Sequence, residues 1–116
     1  MFKITEKGRM ILTRGDSCDF TIDLYNADGT PYVPATNDII LFSLKNHIYD
    51  EEPVLTKEGL TVEFDSDDTK DLNVGTYYYD IKVLFEDGSV QTVFPTNYFE
   101  IRYNVGDWDG QDTSSN

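Results

Sequence analysis

Positive charge is what this chain most lacks: nine Lys and Arg stand against 22 Asp and Glu in 116 residues. The formal net charge of −13 opposes contact with a phosphate backbone, so nucleic acid is not expected as a ligand. Cysteine is almost absent, and Cys18, being alone, cannot make an internal disulfide. No apolar run approaches the roughly 20 residues that a membrane-spanning helix needs, and no charged region followed by an apolar stretch marks a signal peptide. A soluble chain made in a reducing compartment, with no membrane partner, is the expectation. Histidine is equally scarce: His47 is the only one, and no Ser or Cys lies in a nucleophile motif. With Asp50 and Glu51 beside it, His47 reads as a solvated loop residue, and no catalytic residue is nominated. Acidic clusters at Asp65, Asp67, Asp68 and Asp71 and at Asp107, Asp109 and Asp112 lack the register of a calcium loop with its terminal Glu. They read as solvated loops, and no metal or cofactor is expected.

What the chain does hold is 39 % hydrophobic and 14 % aromatic residues, enough for one modest core and one domain. Those residues recur with period two in short segments separated by Gly, Asp, Asn and Pro, which is the pattern of strands. Segments 9–14 and 17–25 are expected strands, with Cys18 on the same face as Phe20 and Ile22. Asn26-Ala27-Asp28-Gly29-Thr30-Pro31 is a hairpin or corner signal, and Pro31 and Pro34 keep 31–36 out of a central ladder. Segment 39–45 begins apolar on both faces, as a strand in the middle of a sheet does. Short strands at 53–57 and 60–64 flank Gly59, and 65–73 reads as a loop with one helical turn capped by Asp65 or Ser66 and plugged by Leu72.

The longest alternation, 76–86, puts Tyr77, Tyr79, Ile81, Val83 and Phe85 on one face and Tyr78, Asp80, Lys82 and Leu84 on the other. Asp87-Gly88-Ser89 turns into 89–94; Pro95-Thr96-Asn97 then interrupts before a last strand, 98–103, with Phe99, Ile101 and Tyr103 inward. The fold class is all-β, an immunoglobulin-like antiparallel β-sandwich of about seven strands, with a small Greek-key barrel as the alternative. Residues 1–8 form a basic arm, 9–103 the sandwich, and 104–116 an acidic and polar tail. Residues 1–15 carry Lys3, Lys7, Arg9 and Arg14 against Glu6, a net +3 that leaves −16 for the rest and favours an arm lying on an acidic surface, its own or a neighbour's.

Gly75-Thr76-Tyr77-Tyr78-Tyr79-Asp80-Ile81, preceded by Asp68 and Leu72, resembles the entry to the sixth strand of an immunoglobulin-type fold. The resemblance puts Tyr77 at a tyrosine corner, Tyr79 where antibody domains hold their second cysteine and Cys18 near the first, so that aromatic packing replaces the disulfide. Leu12-Thr13-Arg14-Gly15-Asp16, then Asn26-Ala27-Asp28-Gly29-Thr30-Pro31-Tyr32, the Gly75 segment and Glu86-Asp87-Gly88 follow in an order similar to a domain of phages and prophages of Gram-positive bacteria. That domain is the immunoglobulin-like N-terminal domain of upper baseplate proteins and related small virion proteins. The resemblance spans roughly residues 9–103. It implies a non-enzymatic virion structural protein of baseplate, tail, capsid or fibre attachment, made in the bacterial cytoplasm. Its partners would be other virion proteins, in a homo-oligomer or a larger assembly.

Candidate partner-binding residues are Arg9 and Arg14 of the basic segment, Tyr78 and Leu84 on the outer face of 76–86, and Trp108, an isolated aromatic in the tail; Tyr25 is a further surface aromatic. The same aromatics would serve a carbohydrate-binding module for host-surface glycans, the first alternative. The second, an acidic mimic of DNA, rests on net charge alone.

Overall fold

The alternating stretches fold into two sheets that share one core. The computed structural model describes residues 2–103. Among them are eight strands and one short helix: β1 (Phe2–Ile4), β2 (Met10–Thr13), β3 (Cys18–Thr21), β4 (Ile39–Lys45), β5 (Leu55–Glu58), β6 (Thr61–Phe64), α1 (Ser66–Thr69), β7 (Gly75–Leu84) and β8 (Val90–Arg102). The chain is all-β, as expected. Six strands form one sheet in the order β1-β2-β8-β7-β4-β5, and β3 pairs with β6 in a second.

Several expectations need correction. The larger sheet is mixed, because β2 runs parallel to β8, with Met10 opposite Phe99 and Leu12 opposite Ile101. Side-chain alternation is the same for parallel and antiparallel neighbours, so direction is set only by where the chain returns. Secondly, the segments 89–94 and 98–103 are one strand. β8 passes Pro95 without ending because its register against β7 shifts twice, between the pairings of Tyr79 and Ile81 and again between those of Ile81 and Lys82. A bulge absorbs a residue that cannot donate to the ladder. Residues 2–4, read as part of an arm, form an edge strand on β2, with Phe2 opposite Leu12.

Turn chemistry places the crossings. Gly59, at φ +108°, carries the chain from β5 in one sheet to β6 in the other, and its N–H donates to Ile40 O at 2.9 Å. The 26–30 turn forms as expected, with Asn26 N donating to Thr30 O and Asp28 Oδ1 accepting from both the amide and the hydroxyl of Thr30. The helical turn also forms, Asp65 N–H donating to Asp68 Oδ2 at 2.9 Å. Asp68 at the same time accepts from Lys57 Nζ at 2.9 Å, which ties β5 to α1.

The inner faces meet in an aromatic cluster around Phe42, which is fully buried. Phe42 stacks on Tyr79 at 5.5 Å between ring centroids and meets Phe20, Phe64 and Phe99 edge-on at 5.9, 5.9 and 6.3 Å. Strands of both sheets thus converge on one ring: β3 and β6 from the smaller, β4, β7 and β8 from the larger. Tyr77, Ile81, Val83 and Ile101 continue the same buried face. Tyr77 donates its hydroxyl to Asn73 O at 2.7 Å and closes the loop ahead of β7.

β4 is buried on one face only. Ile40, Phe42 and Leu44 are covered, whereas Ile39 is 38 % exposed and Leu41, Ser43 and Lys45 are half-buried. Tyr103, expected inward, is 70 % exposed and lies past the end of β8. Replacing Phe42 by Ala removes the ring on which both sheets close, and should lower the unfolding free energy by about 3–5 kcal/mol. Urea unfolding followed by circular dichroism measures it; a loss below about 1 kcal/mol would mean that the two sheets do not depend on this ring.

Candidate functional site

The tight connection between β1 and β2 sets up the first surface feature. Gly8 N–H donates to Thr5 O at 3.0 Å and Thr5 N–H to Arg9 O at 2.9 Å. From β7, Tyr79 donates its hydroxyl to Gly8 O at 2.6 Å; from β8, Asn97 Nδ2 donates to Lys7 O at 2.7 Å. Gly8 has φ +87°, and a Cβ there would lie 2.8 Å from Asn97 Nδ2, so both conformation and space demand glycine. This clamp delivers Arg9 to the outer face of the large sheet.

There the Arg9 guanidinium lies 5.2 Å from the ring centroid of Tyr98 and donates to Glu100 Oε1 at 2.8 Å. Arg102 Nε donates to the other oxygen, Oε2, at 2.7 Å. Tyr98 sits opposite Tyr78 in the β7–β8 register, their rings 5.7 Å apart. Two of the residues expected at a docking surface, Arg9 and Tyr78, are therefore joined through Tyr98, a residue sequence reasoning did not single out. Its signal was alternation with Phe99; its pairing with Tyr78 depends on the bulges that precede it. The hydrogen bond from Arg102, then that from Arg9, holds the Glu100 carboxyl below its ordinary value.

The other nominated residues lie elsewhere. Leu84 ends β7, six residues and about 20 Å along the strand from Tyr78, and is half-buried. Arg14 stands over the Tyr103 ring at 5.4 Å and donates to Leu72 O at 3.4 Å. Both nominated arginines are thus engaged within the chain. Trp108 and the tail 104–116 lie outside the described residues. His47 is an exposed loop residue with Nδ1 3.7 Å from Asp50 Oδ2.

A second feature was not legible in sequence. Where β7 and β8 leave the cover of the two-stranded sheet, their inner face and the 23–32 segment enclose an open cleft of about 610 Å³. Val83, Phe85 and Val93 form one side, and Leu24, Tyr25 and Tyr32 the other. Tyr25 is 64 % exposed at its mouth. Asp38 holds the cleft's shape: it accepts from the Tyr32 hydroxyl, from Ala35 N–H at 2.9 Å and, through Oδ1, from Glu86 N–H at 2.9 Å. Burial, then the bond to Asp38, pushes the Tyr32 hydroxyl up to about 12, so Tyr32 is a hydrogen-bond donor at any physiological pH.

No described group of three or more His, Cys, Asp and Glu is arranged to hold a metal ion, and no described helix is long and apolar enough to cross a membrane. Cys18 is half-buried, and its thiol is pushed up to about 11, by burial first and the Asp19 charge second. No protein-family model, curated protein or solved structure matches this chain.

Two outcomes follow from these groups. The Glu100 carboxyl titrates below its ordinary value of 4.5, so the stability it adds is complete above that pH and is lost as pH falls through the lower folded value. Glu100→Gln should cost up to about 1 kcal/mol at pH 7, the range for ion pairs open to solvent, and less than that near about pH 3. Denaturant unfolding at both values measures the difference. For Cys18, a thiol at about 11 rather than 9.0 should react with iodoacetamide at pH 8 at least about ten-fold more slowly than an ordinary cysteine; equal rates would place it in the open.

Proposed function

We propose that this chain is a non-enzymatic docking module with an immunoglobulin-like sandwich, serving as a structural component of a phage virion. The observation that carries the fold is the partition of strands. β3 and β6 stand in one sheet, as the second and fifth strands of an immunoglobulin domain do, and β4, β7 and β8 stand adjacent in the other, as its third, sixth and seventh do. β5 extends that second sheet, and β2 takes the free side of β8. The Tyr77 to Asn73 bond sits at the start of β7, where a tyrosine corner belongs. The Phe42 cluster supplies the cohesion that a disulfide gives antibody domains, consistent with a lone Cys18.

The virion assignment draws on the ordered motifs from Leu12 to Gly88 and their resemblance to baseplate-type domains. A docking role agrees with a chain whose ionisable side chains, Arg9, Glu100, Arg102, Lys57 and Asp68 among them, are spent on holding strands and loops together. Baseplate, tail, capsid and fibre attachment are all compatible positions. Mass determination by light scattering tests the reading, on the full-length chain alone and mixed with purified tail and baseplate proteins. A complex of defined stoichiometry is expected; a monomer that binds none of them would overturn it.

A further inference from the structure

We propose that the free edge of β8 over residues 90–94, with the cleft beside it, binds an extended, basic peptide strand of a partner protein by adding that strand to the six-stranded sheet. This rests on the docking-module reading and names the surface it uses.

β8 has two unlike halves. Residues 99–102 lie between β7 and β2, whereas residues 90–98 pair only with β7 among the described residues. The bond from Phe85 N–H to Ser89 O sets the parity of the ladder, so Gln91, opposite Val83, faces β7. Val90 and Thr92 then turn their N–H and C=O groups outward. No backbone bond among the described residues engages them on that side. Sheet edges are ordinarily protected by charge, proline or a bulge. Here the sequence Val90-Gln91-Thr92-Val93-Phe94 has no charged residue and no proline, and the bulge at Val93, where the register shifts between Thr92 and Phe94, leaves residues 90–92 in regular pairing. The regular part of this edge, Val90 to Thr92, is about 10 Å long and offers a short ladder that ends at the bulge.

The cleft opens along the same stretch. A strand laid against residues 90–94 directs every second side chain to the inner face of the sheet, where Val83, Phe85 and Val93 form one side of the cleft and Tyr25 and Tyr32 the other. The edge supplies hydrogen bonds and the cleft supplies side-chain pockets, the two parts that strand addition needs. Charge selects the strand. Among the described residues Asp23 is the one charged residue lining the cleft, the adjoining turns carry Asp28, Glu86 and Asp87, and the whole chain is at −13. Lysine or arginine at the solvent-facing positions of the incoming strand is therefore favoured.

The test uses amide hydrogen exchange on the full-length chain, with a synthetic eight-residue peptide alternating Val with Lys and Thr as the probe. In the free chain the amides of Val90 and Thr92 should exchange quickly and that of Gln91 slowly. Millimolar peptide should slow Val90 and Thr92 by at least about ten-fold and leave Gln91 unchanged, while the same peptide N-methylated at alternate amides has no effect. Thr92→Pro removes an outward N–H, which an edge tolerates, and should abolish the slowing; retained Gln91 protection reports that the variant is folded. Val93→Lys, which puts a cation into the cleft against a basic strand, should weaken the peptide's effect and serves as the test if the proline variant does not fold.

Several results would overturn strand addition. They are no slowing at millimolar peptide, an equal effect from the methylated peptide, and Val90 and Thr92 already protected in the free chain by its own residues or a second copy. A glycan that shifts Tyr25 resonances without slowing either amide would assign the cleft to sugars and also overturn it. Binding of a purified virion protein equally by wild type and Thr92→Pro would overturn strand addition while leaving the docking module standing. If wild type binds no such protein, the docking reading fails, and the peptide experiment alone decides the edge.

Discussion

The structure depends on the packing of one ring, Phe42, against aromatic side chains from both sheets. Its partners Phe20 and Phe64 come from the two-stranded sheet, Tyr79 and Phe99 from the larger one, and Phe64 in turn stacks on Phe99 at 5.6 Å. Such rings bury large apolar areas and gain from stacked and edge-on geometry besides. With a single cysteine, no covalent link holds the sheets together, and a two-stranded sheet alone is marginally stable in water. β3 and β6 persist as a sheet because their inward residues Phe20, Val62 and Phe64 share this cluster.

The polar interactions have a different task, which is to place loops against that core. Tyr79 and Asn97 fasten the β1–β2 connection, Tyr77 fastens the approach to β7, and Asp38 fastens the 32–38 segment to the end of β7. In each case a side chain bonds to backbone, so the loop's own amides and carbonyls are satisfied while its position is set. Lys57 and Asp68 join β5 to α1 by a bond between side chains, the ammonium also lying 5.7 Å from the Phe64 ring. Arg9, Arg14, Lys57 and Arg102 likewise tie separate segments or neighbouring side chains together.

For function, the two surfaces contrast. The Arg9–Tyr98–Glu100–Arg102 group on the outer face is internally satisfied, with each charge already engaged. The inner side of β8 is the opposite: an uncharged edge with outward backbone groups beside a cleft with aromatic walls. Free energy of binding comes from groups that gain partners on association, so the second surface is the stronger basis for recognition. The distinction between these faces arises because the two-stranded sheet covers only part of the larger one.

Local chemistry made much of the fold legible. The all-β class, the alternation of 75–84, the span 39–45, the helical turn at Asp65 and the glycine turns at Gly29 and Gly88 all follow from interactions within a few residues, and sequence alone determined them. Joining β8 through Pro95, the parallel pairing of β2 with β8, the exposure of Tyr103 and the meeting of Arg9, Tyr78 and Tyr98 depend on which distant segments become neighbours. So does the cleft, formed where residues 23–32 pass over the end of a hairpin some sixty positions later in the chain. Alternation states which side of a strand is apolar, but it carries no information about partner, direction or register. Those were decided by the closure of both sheets on Phe42, an interaction that exists only after the chain has folded.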